Sequence, residues 1–252
     1  MRFACAALAL TLLAGCAGHR PPDKNEIMAR VVAGSVQIFT EREGGIRRAG
    51  SGVILGATEA EDATLIVTAN HLLAPPVEQT ITVRTAFARE PVEAEVVALN
   101  AEDDLALLAI PGAPPAAVTL TRQAHLGDPI WVVAFPWGRS RTVVQGVVSQ
   151  VAERQVNAPA PPLAGPVRLI DASVSYGMSG GGVFAAATGE LLGIVRGYRT
   201  VQVALPGAGA EPIRLPVAGE TTVVPSTRIA CFLANATGGR KYTAPGVGPG
   251  PC

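Results

Sequence analysis

The sequence has no basic block. Its 252 residues carry 20 Lys and Arg against 20 Asp and Glu, so nothing in it would track a phosphate backbone, and nucleic acid is not an expected partner. Histidine is scarce, at three residues, and there are four cysteines. No His/Cys cluster has ligand spacing, so neither a metal nor an organic cofactor is implied. Long hydrophobic runs are missing as well. The apolar segment Phe3 to Leu13, interrupted by Thr11, is too short to span a bilayer stably. No internal repeat or long low-complexity tract stands out.

What is present is a globular composition, 48% hydrophobic and 16% charged with 28 Gly and 21 Pro, enough for one large domain or two small lobes. Residues 1–15 read as a secretory signal peptide, with Arg2 ahead of the apolar stretch. Leu13-Ala14-Gly15-Cys16 resembles the bacterial lipobox. The resemblance implies cleavage before Cys16 and acylation of its thiol and amine, at ~0.8 kcal/mol of membrane anchoring per buried methylene. The expected location is the bacterial cell envelope, lipid-anchored and facing the periplasm. Ala17 stands where an aspartate often marks inner-membrane retention, which leaves the outer membrane as the working assignment. Cys5 departs with the signal. Cys231 and Cys252 then remain, either as a disulfide or as a buried Cys231 with Cys252 on a frayed tail.

Behind a lipidated Cys and tether over 16–26, a short helix is expected at Asn25 to Val32, then mostly strands. Short Val-rich runs punctuated by Gly and Pro lie at 35–39, 50–55, 64–69, 80–85, 92–99 and 105–110. After the Pro-rich connector 111–118, further runs lie at 129–135, 142–151, 166–172, 181–186 and 191–198. Two such batches predict an all-β fold of two six-stranded antiparallel barrels, at about 30–118 and 125–224. PSTRIACFLANA at 225–236 predicts a C-terminal helix that closes a folded domain spanning 27–237, before a Gly/Pro-rich tail over 238–252.

The stretch YGMSGGGVF at 176–184 strips side chains from around Ser179. It is either a flexible or tight glycine turn or a place where something must approach the backbone closely. A serine hydroxyl needs a base to become a nucleophile. Of the three histidines, His19 lies in the tether and His125 in a polar stretch, whereas His71 ends the strand segment LIVTANHLL. The base in turn needs an orienting carboxylate. Asp104 heads the apolar run LALLAI, where a buried carboxylate requires a partner; Asp103 would point the other way.

Taken together, VTANH, DDLALL and GMSGG resemble the His, Asp and Ser motifs of chymotrypsin-like serine proteases, and the closer match is the bacterial HtrA type. GSGV at 50–53, WVVAFPWG and VVQGVVS within 131–149, LIDASVSYGMSGG, ELLGIV at 190–195 and VVPSTRI at 223–229 extend that resemblance over roughly residues 30–236. It implies a serine endopeptidase acting on polypeptides through His71, Asp104 and Ser179, with backbone N–H groups of Gly177 and Ser179 as oxyanion donors. It also implies a primary pocket with Ser173 at its floor, narrowed by Val195 and opened by Gly197. Arg196 is expected to reach solvent; turned inward, it would favour acidic residues. An uncharged Ser173 predicts cleavage after small or medium apolar residues.

Three departures qualify the match. Met178 occupies the position where the family usually has Asn, which leaves open whether the oxyanion loop is preformed. The chain ends too soon for the PDZ domain that most members carry. Residues 199–222 exceed the usual hairpin and read either as a solvated loop or as a partner surface. A catalytically silent binding lipoprotein and an esterase-like hydrolase are the alternatives to a protease, and the oligomeric state stays open. The lipobox yields a direct expectation: Cys16→Ser releases the protein from membranes, soluble or unprocessed, as read by fractionation. Tight membrane retention of that variant would show another anchor.

Overall fold

The computed structural model describes residues 23–58, 62–112, 117–121, 123–152, 163–203 and 213–236. Helix α1 (Lys24–Ala33) opens it, one residue longer at each end than expected. Its start is a capping box: Asp23 Oδ1 accepts from the backbone N–H groups of Asn25 and Glu26, and the Glu26 carboxylate accepts from Asp23 N–H at 3.0 Å. Seven strands follow: β1 (Ser35–Arg42), β2 (Arg47–Thr58), β3 (Ala63–Ala69), β4 (Gln79–Arg84), β5 (Val92–Glu93), β6 (Glu95–Asn100) and β7 (Leu105–Pro111). The second half holds β8 (Ala124–His125), β9 (Pro129–Ala134), β10 (Thr142–Val151), β11 (Ala164–Gly165), β12 (Val167–Asp171), β13 (Gly182–Ala185), β14 (Leu191–Val203) and β15 (Ile213–Pro225). It ends in α2 (Ser226–Ala236).

The second half is a closed six-stranded antiparallel barrel in the order β10-β12-β15-β14-β13-β9. The first half is a seven-stranded sheet, β5-β4-β1-β2-β3-β7-β6, rather than a barrel with an unbroken hydrogen-bond ring. Its two edge strands nevertheless belong to one chain segment. The run expected as a single strand at 92–99 splits at Ala94, whose N–H turns to Ile81 O at 2.9 Å. β5 stays with β4 while β6 crosses to β7, so the bend at Ala94 joins the sheet's edges. Three strands have no counterpart among the runs expected from composition: the two-residue β8 and β11, which pair only with each other, and the long β15. β15, with Pro216 and Gly219 inside it, lies mostly within the stretch that reads as an insertion, yet it completes the second barrel.

Period-2 alternation with apolar residues on both faces explains why these strands pack two ways. Ile54, Ile66, Ala106 and Leu108 point into the first barrel with Val36, Ile38, Ile81 and Val83. Their neighbours Val53, Leu55, Leu65, Val67, Leu105 and Leu107 face outward and are equally buried, against Trp131, Val133, Phe184 and Ile194 of the second barrel. Both helices seal this shared core, through Ile27 and Val31 of α1 and Ile229, Phe232 and Leu233 of α2. A third cluster, including Ile130, Val132, Ile170, Val183 and Val195, fills the second barrel.

The inter-barrel core therefore carries the stability that the cleft between the barrels requires. Phe184, fully buried in it, is its test. Phe184→Ala should destabilise by about 3–5 kcal/mol, whereas Leu99→Ala on the half-exposed edge strand β6 should change stability by less than about 1 kcal/mol. Urea denaturation of both variants measures the difference.

Candidate active site

The pairing of β3 with β7 sets the first half of the site. Ala69 lies opposite Leu105 at the end of that ladder, so the residues just beyond, Asn70-His71 and Asp104, are brought side by side. The chain after β3 enters a single 3-10 turn, Asn70–Leu72. Asp104 precedes β7 with φ +58°, a left-handed conformation that Asp tolerates better than most residues. Three bonds result: Asn70 N–H to Asp104 O at 3.1 Å, His71 N–H to Asp104 Oδ1 at 2.9 Å, and His71 Nδ1 to Asp104 Oδ2 at 2.8 Å. The Asp104 side chain is 9% exposed and that of His71 48%. A carboxylate facing Nδ1 makes that nitrogen the N–H donor in the neutral ring and leaves Nε2 as the acceptor. Asp103 is engaged elsewhere, hydrogen-bonded to Asn100 Nδ2 at 3.1 Å and 3.7 Å from Arg228 Nε.

The second half is the loop around Ser179. Met178 N–H bonds to Ser175 O at 3.1 Å, and Gly177 at the third position of that turn has φ +86°, the pattern of a type II turn. A Cβ on Gly177 would stand 2.7 Å from Trp137 N and 2.8 Å from Phe135 O, so glycine is required twice over. Trp137 N–H donates to Tyr176 O at 2.7 Å. Because the peptide is planar and trans, the Gly177 N–H points away from Trp137. Neither Gly177 N–H nor Ser179 N–H donates to an acceptor among the described residues. Gly180 packs so tightly that a side chain would collide with Ser51 O and Thr68 Oγ1 and come within 3.1 Å of Ala69 N. The Ser179 segment thus lies directly against the end of β3 that leads into His71.

Ser51 links the two halves. Its hydroxyl donates to Gly177 O at 2.8 Å and accepts from Phe135 N–H at 2.9 Å. Its backbone N–H donates to Ser179 O at 2.9 Å, and its carbonyl accepts from Thr68 Oγ1 at 2.7 Å. Ser51, Thr68, Phe135 and Trp137 are site residues that the sequence alone does not single out. Their signal lies in three motifs: Ser51 in GSGV, Thr68 in VTANH, and Phe135 and Trp137 in FPWG. Met178 is buried in the second barrel's core, with its sulfur 3.3 Å from Ser175 N.

The pocket residues fall less simply. Ser173 is exposed, and Gly197 has open space around it: a Cβ there would find Thr222 Oγ1 no nearer than 4.0 Å. Val195, expected to narrow a slot, is buried in the second-barrel core at 1% exposure. Arg196, expected in solvent, is half-exposed with Nε 3.6 Å from Asp104 Oδ2. The cause is a β-bulge: Val195 pairs with Val223 and Gly197 with Thr222, so Arg196 is the extra residue and its side chain is re-aimed. A cavity of about 500 Å³ beside Tyr176 is lined by Phe39, Ala49, Thr82 and Trp137 among others. Cys231 is half-buried on α2. Cys16, Cys252 and His19 lie outside the described residues, and His125 is exposed, 3.3 Å from Asp128.

This geometry has relatives. Residues 50–194 match the family model of the trypsin-like peptidase domain. The serine endoprotease DegS of Salmonella typhimurium and that of Escherichia coli K12 are each 28% identical over 152 residues, 59% of this chain and 39% of theirs. The chain therefore spans about two fifths of the length of these curated relatives. Among solved structures, a serine endoprotease from Yersinia pestis superposes with a TM-score of 0.62 at 25% identity, covering 87% of this chain and 68% of that one. Rv3671c from M. tuberculosis H37Rv, in an inactive serine-to-alanine form, superposes at 0.58 over 86% of this chain and 93% of its own, at 22% identity, and shares the fold.

Removing the Ser51 hydroxyl leaves a buried carbonyl and a buried N–H unpaired, at about 1–3 kcal/mol each, and loosens the Gly177 peptide. Ser51→Ala should lower kcat toward peptide substrates by about 10–100-fold with KM changed little, since misplacement of this order costs up to ~100-fold. Steady-state kinetics alongside a thermal melt will show it. Unchanged kcat would remove Ser51 from the positioning role.

Proposed function

The chain belongs to the trypsin-like peptidase family, and on that premise we propose that it is a serine endopeptidase that cleaves polypeptides. The observation carrying this reading is the pair of N–H groups, Gly177 and Ser179, left without acceptors among the described residues, on a serine loop that packs against the end of β3 leading into the His71–Asp104 pair. Ser179 Oγ forms a bond to the scissile carbonyl carbon as His71 Nε2 takes the hydroxyl proton. The carbonyl oxygen becomes an oxyanion held by the two N–H groups. Collapse breaks the C–N bond, and His71 returns the proton to the leaving amine. Water then repeats the sequence on the acyl-serine and restores Ser179. Asp104 holds the ring with Nδ1–H bonded and stabilises the imidazolium. Each oxyanion donor contributes about 3–4 kcal/mol to the transition state.

Met178 supports a site that needs no activating cleavage. An apolar side chain buried in the barrel holds the turn where an acidic residue would need an ionic partner. The reading extends to a lipid-anchored enzyme of the bacterial envelope, exported by residues 1–15 and acylated at Cys16, with its catalytic domain over 27–237. That part rests on the sequence of the first sixteen residues.

The test is digestion of casein and a peptide library by the purified protein, with product masses recorded. Ser179→Ala and His71→Ala should each abolish hydrolysis with the fold intact, and the double variant should be scarcely worse than either single one. Asp104→Asn should cost about 10⁴-fold in kcat, and Asp103→Asn far less. Covalent labelling of Ser179 by a fluorophosphonate without cleavage of any polypeptide would favour a small-acyl hydrolase. Absence of labelling would favour a silent binding protein.

A further inference from the structure

β14 and β15 do not stop at the barrel. β14 leaves its inner neighbour at Val195, whose N–H donates to Gly181 O and whose carbonyl accepts from Gly180 N–H, both at 2.8 Å. From Arg196 to Val203 its strand partner among the described residues is β15 alone. The edge of β14 on the Ser179 side is therefore unpaired among the described residues. It begins where Arg196 meets Asp104 and runs on for about 25 Å at ~3.3 Å per residue.

The ribbon has two unlike faces. Val201 lies opposite Leu215 and Val203 opposite Ile213, so these four side chains share one face. They are 39–48% exposed. Thr200, Gln202, Arg214 and Pro216 share the other. The two edges differ as well. β15 carries Pro216, which has no N–H to offer a further strand, while β14 contains no proline. A long unpaired edge beside an apolar face is a template for strand addition.

Continuity with the active site selects the occupant. The other end of β14 adjoins α1, because Gly189, just before it, packs on Ile27 and Arg30. The 13 residues of β14 therefore carry the ribbon away from α1 and past the point where Arg196 meets Asp104, beside the Ser179 loop. We propose that β14 beyond Gly197 is an extended docking edge for the polypeptide substrate upstream of the scissile bond. A stretch of substrate adds as a strand along Tyr198–Val203 and rests alternate apolar side chains on Val201, Val203, Ile213 and Leu215. The proposal rests on the endopeptidase reading. It makes the enzyme select unfolded, β-prone segments several residues longer than the cleavage site itself.

Two fluorogenic peptides with the same sequence around the cleaved bond test this, one with three residues upstream and one with eight, alternating apolar and polar. The long peptide should have kcat/KM at least about tenfold higher. Val201→Asp with Leu215→Asp should remove that gain while leaving the short peptide's kinetics and the thermal melt unchanged. Fluorescence anisotropy of both labelled peptides on the Ser179→Ala protein reads binding without turnover, so the edge is tested even if hydrolysis fails. Equal affinity for long and short peptides there would overturn the docking edge. So would a gain that survives the double variant, including the case in which that variant instead changes the sedimentation coefficient and reveals self-association.

Discussion

One hydroxyl group spans the two barrels at the point where the chemistry is set. Ser51 belongs to β2 of the first barrel, yet its Oγ lies between Gly177 O and Phe135 N, both of the second half. Bonding to Gly177 O fixes one side of the turn, and Trp137 N–H on Tyr176 O fixes the other. These two bonds hold the peptides on both sides of Gly177, and its N–H points away from Trp137. The same residue's backbone holds Ser179 O and Thr68. The loop around Ser179 and the strand leading into His71 are thus held by a single position. Buried polar contacts of this kind are costly when half-made and rigid when complete, which suits a donor that must be in place before charge develops.

Around that junction the fold supplies rigidity by apolar packing. β2, β3 and β7 bury both faces, and their outward residues interlock with β9, β13 and β14 across the barrel interface. Met178 extends the same logic into the active-site loop, plugging it into the second barrel's core. Strain is confined to a few places. Among the described residues three non-glycines have left-handed φ, Asp62 at +46° just before β3 and Asp104 and Trp137 at +58° each, and the latter two orient a group at the site. Asp104 presents its carboxylate to His71; Trp137 presents its N–H to Tyr176 O and stacks its ring near the Tyr176 ring at 5.4 Å.

Much of this is legible in the sequence because it depends on residue type at short range. A single histidine at the end of an apolar strand, an aspartate at the head of another and a serine among glycines leave few combinations open. From the sequence, extended-chain alternation favours Asp104 over Asp103, whereas in the structure both lie in a turn, Asp104 at φ +58° beside His71 and Asp103 on Asn100 and Arg228. What is hidden depends on register. The split at Ala94 arises because two sheet edges share one segment. Strand β15 is masked by Pro216 and Gly219, which read as loop. The bulge at Arg196 displaces both neighbouring expectations, turning Val195 inward and bringing Arg196 to Asp104. A bulge has no compositional signature, so pairing alone reveals it. Ser51 is visible as a letter in GSGV, but its partners lie 84 and 126 residues away.

The proposed function makes Ser179 an acylated nucleophile served by a preformed oxyanion site. Active-site titration with a nitrophenyl ester tests it most directly, by stopped-flow absorbance followed by mass spectrometry of the quenched protein. A preformed site predicts a burst without lag, close to one nitrophenol per chain, with the acyl group on Ser179. Linear release without a burst, a lag that a peptide ligand removes, or acyl mass on another residue would contradict it.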